Sequence, residues 1–296
     1  MHSLLKVYHD SDVFCLDQNV IADALTSRFP HDVCFADLTH CGIIKCIGNS
    51  CYLNFRHPLV YIAKLQFDAE RLYFGDNTLS QSINAALNEL VGRSLSCVVS
   101  AVLVGSCARG THTPGSDIDI LVVSHARRPL VREIDGRRVE IIRYSPKSFA
   151  TAVRQQDEFA FWAFKYGLIL RDSNFFCNYV PTASIDFRLL RQRKHSLIEK
   201  MIYGITLGIN STRTHVLQRR IVELYEQIAR AVIIERGSVP RSARELFDQA
   251  SKLQLRDSER AIFAARHDAA NTPPDGDILR SLFETIKIYY YDMLGH

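Results

Sequence analysis

Two aspartates separated by one residue, Asp117 and Asp119, are the first residues whose spacing suggests chemistry. Alternate residues of a β-strand point to the same face, so the two carboxylates would lie side by side if this segment is a strand. Ile118, Ile120 and Val122 would then point the other way, into a core. Crowded carboxylates repel each other, and Mg²⁺ binds carboxylate oxygens while keeping positions for water and phosphate. The pair therefore indicates a metal site, although a surface strand that happens to carry two acids is the alternative.

A turn that suits phosphate binding precedes the two aspartates. Gly105 and Ser106 end a hydrophobic segment, and Arg109 follows one helical turn later. Glycine lets the backbone approach a ligand closely, and a serine N–H and hydroxyl, at the N-terminus of a short helix, would favour phosphate oxygens. A strand-to-helix turn with an incidental arginine is the alternative, but the order of these residues before the aspartate pair favours a triphosphate site. Its predicted nucleotide-binding residues are Gly105, Ser106, Arg109 and Ser116.

A third acidic residue, Glu140, stands among apolar residues in the predicted strand 138–142. Burying an unpaired carboxylate is costly, so a place beside the two aspartates would explain it, and pairing with an arginine of the same hairpin is the alternative. Phosphoryl-type transfer needs charge neutralisation and a base for the acceptor's proton. We therefore predict Asp117, Asp119 and Glu140 as catalytic and metal-binding residues, and leave open whether Glu140 is a metal ligand or the base.

Residues 79–182 carry the elements that would position this site. Apolar residues at helical spacing in 83–91 predict a helix, Asp135-Gly136 is a strong hairpin signal, and Ser145-Pro146 is typical of a helix start. In chain order, the predicted elements are a helix over 79–92, strands over 97–104 and 118–123, hairpin strands over 130–134 and 137–144, and a helix that begins at Ser145.

The flanking regions differ from this layer of helices and strands. Residues 1–78 are predicted to be strand-rich, with a hairpin of 43–47 and 50–53 around Gly48-Asn49 and a further strand over 59–63. Residues 183–296 are predicted to be a helical bundle, with helices over 184–209, 212–236, 241–253, 256–267 and 276–294. The chain thus divides into an N-terminal accessory region of unknown function (1–78), a catalytic domain (79–182) and a C-terminal helical domain (183–296).

Taken together, these motifs resemble the DNA polymerase β-type nucleotidyltransferase superfamily, and its minimal and aminoglycoside nucleotidyltransferases most of all. The likeness rests on Gly105-Ser106, Arg109-Gly110, Ser116-Asp117-Ile118-Asp119 and Glu140, and it covers 80–175. Within that range, 165–172 looks like the family's glycine turn and return strand. The resemblance implies an α+β fold with a small mixed sheet. It also implies that Gly105 and Ser106 hold the triphosphate, that Asp117 and Asp119 bind Mg²⁺, and that Glu140 stands where many relatives have aspartate.

The expected reaction is transfer of a nucleotide from a nucleoside triphosphate, with ATP favoured, to an acceptor hydroxyl, with release of pyrophosphate. Mg²⁺ is the expected metal and Mn²⁺ an alternative. A small molecule is the favoured acceptor, in a cleft between the catalytic and helical domains. RNA, such as a tRNA end, and a protein side chain are alternatives, as is a non-catalytic nucleotide- or RNA-binding regulator on the same fold. The case for RNA rests on the basic segment 186–222, which could equally be a solvated helix face.

Composition and the absence of other motifs exclude several classes. The 296 residues are 47% apolar and 23% charged, as in a globular protein of about two domains. No segment reaches the ~20 apolar residues of a membrane span, and no secretory signal is evident, so we expect a cytoplasmic protein. A net charge of +4 does not by itself imply nucleic acid. Neither a P-loop motif nor G-x-G-x-x-G after a strand occurs.

Five of the eight cysteines lie in the first 51 residues. Their spacing only partly fits the C-x₂₋₄-C pairs of zinc sites. If Gly48-Asn49 is the hairpin turn, Cys46 and Cys51 lie directly opposite each other across it. Buried structural cysteines are the preferred interpretation, and a zinc site or a redox pair are the alternatives.

Overall fold

The computed structural model describes residues 1–10, 16–26, 34–47, 50–73, 98–125, 133–134, 136–155, 157–179, 187–241, 245–253, 255–257, 259–263 and 275–295. The chain divides into two compact units, Met1–Ile185 and Asp186–His296. The predicted domain boundaries after residues 78 and 182, and the predicted helix over 79–92, lie outside the described residues. None of the helices in the described ranges is long and apolar enough to cross a membrane.

The first unit contains all eight strands and eight of the helices that the structure describes. In chain order they are α1 (His2–Asp10), β1 (Leu16–Asp17), α2 (Gln18–Thr26), α3 (Phe35–His40), β2 (Ile44–Ile47), β3 (Ser50–Leu53), α4 (Pro58–Tyr73), β4 (Val98–Val104), α5 (Gly105–Arg109), β5 (Ile118–Ser124), β6 (Glu133–Ile134), β7 (Arg137–Tyr144), α6 (Pro146–Arg154), α7 (Glu158–Tyr166), β8 (Leu168–Asp172) and α8 (Phe176–Tyr179).

A mixed sheet forms the centre of this unit, with strand order β6-β7-β5-β4-β8. Strands β5 and β7 run parallel, and the other neighbours are antiparallel. The β-branched residues of β4 and β5 suit such a buried strand pair. The predicted strands over 97–104 and 118–123 and the hairpin into 137–144 are therefore confirmed, as is the α+β fold with a mixed sheet. Ser145 caps α6, and its hydroxyl accepts a hydrogen bond from the Ser148 N–H at 3.0 Å.

Alternation along the strands separates the sheet's apolar core from its acidic residues. On β5, Ile118, Ile120 and Val122 pack into one buried cluster together with Val139 of β7. Because successive side chains point to opposite faces, Asp119 lies on the other face of β5. It pairs in register with Glu140 of β7, so the two carboxylates share that face.

The predicted hairpin near the N-terminus is also confirmed. Strands β2 and β3 pair antiparallel with Cys46 opposite Cys51, while the turn residues 48–49 lie outside the described ranges. These two cysteines form a disulfide, so the preferred interpretation as buried structural thiols is wrong for them. The thiols of Cys34 and Cys41 are free and exposed. Within the described ranges no group of three or more His, Cys, Asp or Glu residues could hold a metal ion, so the structure lends the zinc alternative no support.

The predicted strand over 59–63 is wrong, because this segment begins the long helix α4. Pro58 occupies its first turn, where a missing N–H is no loss. The buried positions Val60, Lys64, Phe67 and Leu72 recur at helical spacing. The described part of 1–78 is thus mainly helical with three short strands, and the description of this region as strand-rich is corrected accordingly.

A buried ion pair fastens α4 to the sheet. The ammonium group of Lys64 contacts the Asp68 carboxylate and donates to the Gly167 carbonyl at 3.0 Å. The other carboxylate oxygen of Asp68 accepts from the Ile169 N–H at 2.8 Å. Both side chains are buried. Helix α4 is therefore held against β8 by hydrogen bonds as well as by apolar packing.

The second unit is helical in its described residues, as predicted. Its helices are α9 (Phe187–Gly208), α10 (Thr214–Glu235), α11 (Leu246–Ser251) and α12 (Gly276–Leu294). Helix α10 supplies the centre of the core, where Ile221, Leu224, Tyr225 and Ile228 are fully buried. Asp275 caps α12 through its carboxylate, which accepts from two backbone N–H groups, as expected for a helix start after a Pro-rich segment.

Candidate active site

The turn after β4 meets the acidic end of β5. Val104, the last residue of β4, pairs with Asp119, which in turn pairs with Glu140. Gly105 therefore follows directly at the same edge of the sheet. A Cβ atom added to Gly105 would overlap Oδ2 of Asp119 and lie 3.1 Å from its Cγ. The backbone of the predicted phosphate cradle is thus packed against the carboxylate of the predicted metal site.

Gly105 is required at this position for two separate reasons. Its φ is +72°, a left-handed conformation that side-chain-bearing residues rarely adopt. The space that a side chain would need is taken by Asp119. The prediction that a glycine here permits a close approach is consistent with this geometry.

We expect Gly105→Ala to lower nucleotidyl transfer by about 10²-fold, because the added methyl group displaces the Asp119 carboxylate. Gly42→Ala is the matched control, since Gly42 has the same φ of +72° but nothing within 4 Å of an added Cβ. Both variants should lose comparable stability from the backbone, about 1–2 kcal/mol. Transfer assays and chemical denaturation of both variants check this. Equal activity in the two alanine variants would contradict a role for the contact with Asp119.

The electrostatic environment of Asp119 favours a bound cation. Burial raises the pKa of its carboxyl most, the negative charges of Glu140 and Asp117 add to this, and the net pKa is about 6. The positive charges of Arg109 and Arg138 act in the opposite direction. The carboxylate is therefore poorly stabilised by its own protein, which is the condition that a divalent cation would relieve.

The donor chemistry of the three acidic residues fits Mg²⁺. Asp119 is half-buried, while Asp117 and Glu140 are exposed at the same edge of the sheet. They do not form a converged set of three protein ligands within the described ranges. Mg²⁺ is commonly bound through one or two carboxylates, with water and substrate phosphates completing the shell, so such a set is not needed. Asp117 and Asp119 are the residues that would hold the ion, with Glu140 next to them.

The raised pKa of Asp119 predicts how stability depends on pH in metal-free protein. The folded state binds this proton more tightly than the unfolded state, so the resulting stabilisation is lost as the pH rises through about 6. An asparagine at position 119 carries no charge, so burying it at pH 7.5 does not incur the desolvation cost of the ionised Asp119. In EDTA at pH 7.5, we expect Asp119→Asn to melt about 2–4 °C above the wild type, and the difference to shrink toward pH 4.5. Thermal unfolding of both proteins at the two pH values checks this, and a wild type at least as stable at pH 7.5 would contradict it.

The predicted nucleotide-binding residues are close to one another in sequence, but the structure places their side chains in different environments. Ser106 is half-buried in the five-residue helix α5, which is too short to contribute a strong dipole. The Ser116 side chain is buried, and its hydroxyl accepts from the Thr113 N–H at 2.9 Å. Ser116 thus shapes the loop that leads to Asp117. Direct nucleotide contacts by these serines stay predictions.

Arg109 is folded back toward the turn from which it emerges. Its Nε–H donates to the Gly105 carbonyl at 3.3 Å. Its guanidinium carbon lies 4.9 Å from the centre of the Trp162 ring on α7. Trp162 belongs to the aromatic segment 159–164, which is largely buried and is therefore part of the core.

Sequence reasoning missed two residues of this site. Arg138 stands two positions before Glu140, so strand alternation alone could have placed it on the same face. The positive charge of Arg138 acts to lower the pKa of Asp119. Trp162 had no such signal, because its contact with Arg109 joins elements that meet only in the folded unit.

Comparison with known families identifies the central part of the first unit. Residues 82–165 match the model of the nucleotidyltransferase domain. No curated protein matches the chain. The matched range includes the turn at Gly105, the aspartate pair, Glu140 and Trp162.

The chain therefore contains a nucleotidyltransferase domain of the DNA polymerase β type, which confirms the resemblance predicted from its motifs. This domain places the protein among the enzymes that transfer nucleotidyl groups. The match leaves out all of residues 1–81 and the whole second unit, so it identifies the reaction class and leaves the acceptor open.

Proposed function

We propose that this protein is a Mg²⁺-dependent enzyme that transfers a nucleoside monophosphate from a nucleoside triphosphate, ATP in the first instance, to a hydroxyl group of a small molecule. The observation that carries the proposal is the packing of the Asp119 carboxylate against Gly105, with Glu140 paired beside it. Phosphate-binding backbone and metal-binding carboxylates then serve the same triphosphate.

Each residue has a distinct task in this proposal. Gly105 and Ser106 present backbone N–H groups to the phosphates, and Arg109 offers a planar set of donors to the same oxygens. Asp117 and Asp119 hold the metal. Once bound, Mg²⁺ would supply charge stabilisation to the phosphate oxygens of the triphosphate.

Glu140 is the candidate for accepting the proton of the acceptor hydroxyl. Its carboxylate is exposed on the same face as Asp119 and sits on the neighbouring strand, so an incoming hydroxyl can reach it. The attacking oxygen would lose its proton to Glu140 as the bond to the α-phosphorus forms and pyrophosphate leaves. A role for Glu140 as a further metal ligand is the alternative within the same proposal.

The charge of the second unit favours a small acceptor over RNA. The basic segment 186–222 has fewer side chains available for phosphate contacts than its composition suggests, because three of its eight basic residues contact neighbouring side chains. These contacts join Arg191 to Glu235, Lys194 to Gln227 and Arg219 to Glu223. Nucleic-acid binding depends on many lysines and arginines that are free to contact phosphates. RNA and protein acceptors are kept as outcomes of the experiment below.

The test supplies each nucleoside triphosphate, labelled at the α-phosphate, with Mg²⁺ and cell extract. We expect label to appear in the small-molecule fraction, and Asp119→Asn to abolish its appearance. Label in RNA or in protein would replace the proposed acceptor by that class. Failure of every triphosphate to transfer label, with the wild type and Asp119→Asn indistinguishable, would instead favour a nucleotide-binding module without catalysis.

A further inference from the structure

A cavity of about 520 Å³ lies in the second unit, between the ends of α10 and α12 and the chain around residue 256. Three of its lining side chains are arginines: Arg236, Arg256 and Arg260. We propose that this cavity is a binding site for a small molecule that carries a phosphate or carboxylate group. The proposal goes beyond the proposed function, because every residue it uses belongs to Asp186–His296 and none has a part in nucleotidyl transfer.

The buried carboxylate of Glu259 fixes two of these guanidinium groups. One of its oxygens accepts from Nε and Nη2 of Arg256 at 3.2 and 3.0 Å. The other oxygen accepts from Nη2 of Arg236 and from the backbone N–H of Arg256. Because both arginines are already held in place, they lose little rotamer freedom when an anion binds.

Glu259 is charged at neutral pH, as this arrangement requires. Burial by itself would raise the pKa of its carboxyl. The hydrogen bonds from the Arg256 backbone and from the Arg236 and Arg256 side chains outweigh burial and hold this pKa below its ordinary value. The carboxylate therefore serves to orient the arginines and does not lose its charge in the neutral range.

The arginines keep hydrogen-bond donors for a ligand. Arg260 donates through Nε–H to the Leu255 carbonyl at 3.2 Å, and its two terminal nitrogens have no partner among the described residues. Arg236 gives one terminal nitrogen to Glu259, while its Nε and its other terminal nitrogen have no partner in the part of the chain that the structure describes. The Arg236 side chain is 34% exposed and Arg260 is exposed, so a ligand can reach both. A guanidinium with two unused N–H groups can bind a phosphate or carboxylate through two parallel hydrogen bonds.

The charges that line the cavity favour an anion. Only two carboxylates, those of Glu235 and Glu259, line the described part of the cavity together with the three arginines. Glu235 is shared with groups outside the lining, since it lies 3.5 Å from Nε of Arg191 and 3.1 Å from Nε2 of His195. The cavity therefore keeps an excess of positive charge, and a bound anion would reduce the repulsion among the guanidinium groups.

The remaining walls suit the apolar part of a small molecule. Leu255 is half-buried and Met293, near the end of α12, is 7% exposed, and both line the cavity. The Met293 carbonyl also accepts from Nη2 of Arg256 at 3.3 Å. Sites for small molecules are typically concave, with apolar walls and a few polar groups that fix the orientation of the ligand. The volume and the lining together indicate an organic anion of metabolite size.

The test is equilibrium dialysis of the full chain in EDTA at low ionic strength, with inorganic phosphate, ribose 5-phosphate and citrate as probes. We expect saturable binding at one site per chain, and comparison of the three probes assigns the site to phosphates or to carboxylates. Arg260→Gln should weaken binding by about 10–100-fold, because hydrogen bonds to a charged group are lost, and Arg236→Gln should act similarly. Arg219→Gln is the matched control: it removes an exposed arginine of α10 that pairs with Glu223, and should change binding less than about twofold.

The possible results separate this cavity from the site in the first unit. Binding that is lost in Gly105→Ala but kept in Arg260→Gln would place the anion at the turn after β4 and overturn the proposal. No saturable binding of any probe at millimolar concentration, or equal losses in Arg219→Gln and Arg260→Gln, would also overturn it. If Arg236→Gln does not fold, Arg260→Gln decides, because its described hydrogen bond is to a backbone carbonyl and not to Glu259. The dialysis contains no nucleoside triphosphate, so its result stands whether or not the chain transfers nucleotides.

Discussion

Asp119→Asn is expected to lower nucleotidyl transfer by about 10²–10⁴-fold while the protein remains folded. The substitution removes one negative charge from the proposed metal site and replaces a carboxylate oxygen by an amide donor. It leaves the volume beside Gly105 almost unchanged, so the turn after β4 keeps its shape. The measurement is transfer of α-phosphate label under the conditions in which the wild type is active.

Two controls separate a catalytic effect from a general one. Asp248→Asn removes an exposed carboxylate from the second unit and should leave transfer unchanged. Thermal unfolding in EDTA should show Asp119→Asn to be at least as stable as the wild type at pH 7.5, since the buried charge is gone. A variant that folds and retains more than about a tenth of wild-type activity would remove Asp119 from the proposed catalytic set.

How far the sequence predicts this site depends on which rule applies to each residue. Strand alternation is a local rule, so the separation of Asp119 from Ile118 and Ile120 could be predicted and is seen in the structure. The pairing of Asp119 with Glu140 depends on the parallel register of β5 and β7. Register follows from tertiary packing, so the sequence could suggest that the two acids meet but could not assign the pairing.

Helix α4 shows why a sequence pattern can fail. Five apolar residues in a row suit a short strand as well as a helix, and periodicity alone does not distinguish them. The helical stripe that would have corrected the interpretation includes Lys64 and Asp68, which are counted as polar although both are buried. Their burial is possible only because each finds its partner in the folded unit, which the sequence does not reveal.

The disulfide of the N-terminal hairpin is a related case. The two-residue turn predicts that Cys46 and Cys51 face each other, and the register of β2 and β3 agrees. Whether two facing thiols remain reduced, bind a metal or form a bond depends on their distance and surroundings. The structure joins these two and leaves Cys34 and Cys41 as free thiols.

The second large effect is expected at the buried pair in α4. Asp68→Ala should destabilise the first unit by about 3–5 kcal/mol, because it leaves the Lys64 ammonium buried without a compensating charge and the Ile169 N–H without an acceptor. Burial already lowers the pKa of Lys64 and raises that of Asp68, so desolvation opposes both charges and their mutual contact must offset it. Denaturant unfolding followed by the fluorescence of Trp162, the single tryptophan of the chain, reports on this unit.

Replacing both partners distinguishes a missing charge from a missing contact. Lys64→Met combined with Asp68→Leu keeps the volume apolar, and such a replacement of a buried pair is often neutral or stabilising. We therefore expect the double variant to recover most of the stability that Asp68→Ala loses. Glu223→Gln, which breaks the exposed pair with Arg219, should cost less than about 1 kcal/mol and sets the scale for a surface pair. If the double variant is as unstable as Asp68→Ala, the hydrogen bonds to Gly167 and Ile169, and not the charges, fasten α4 to β8.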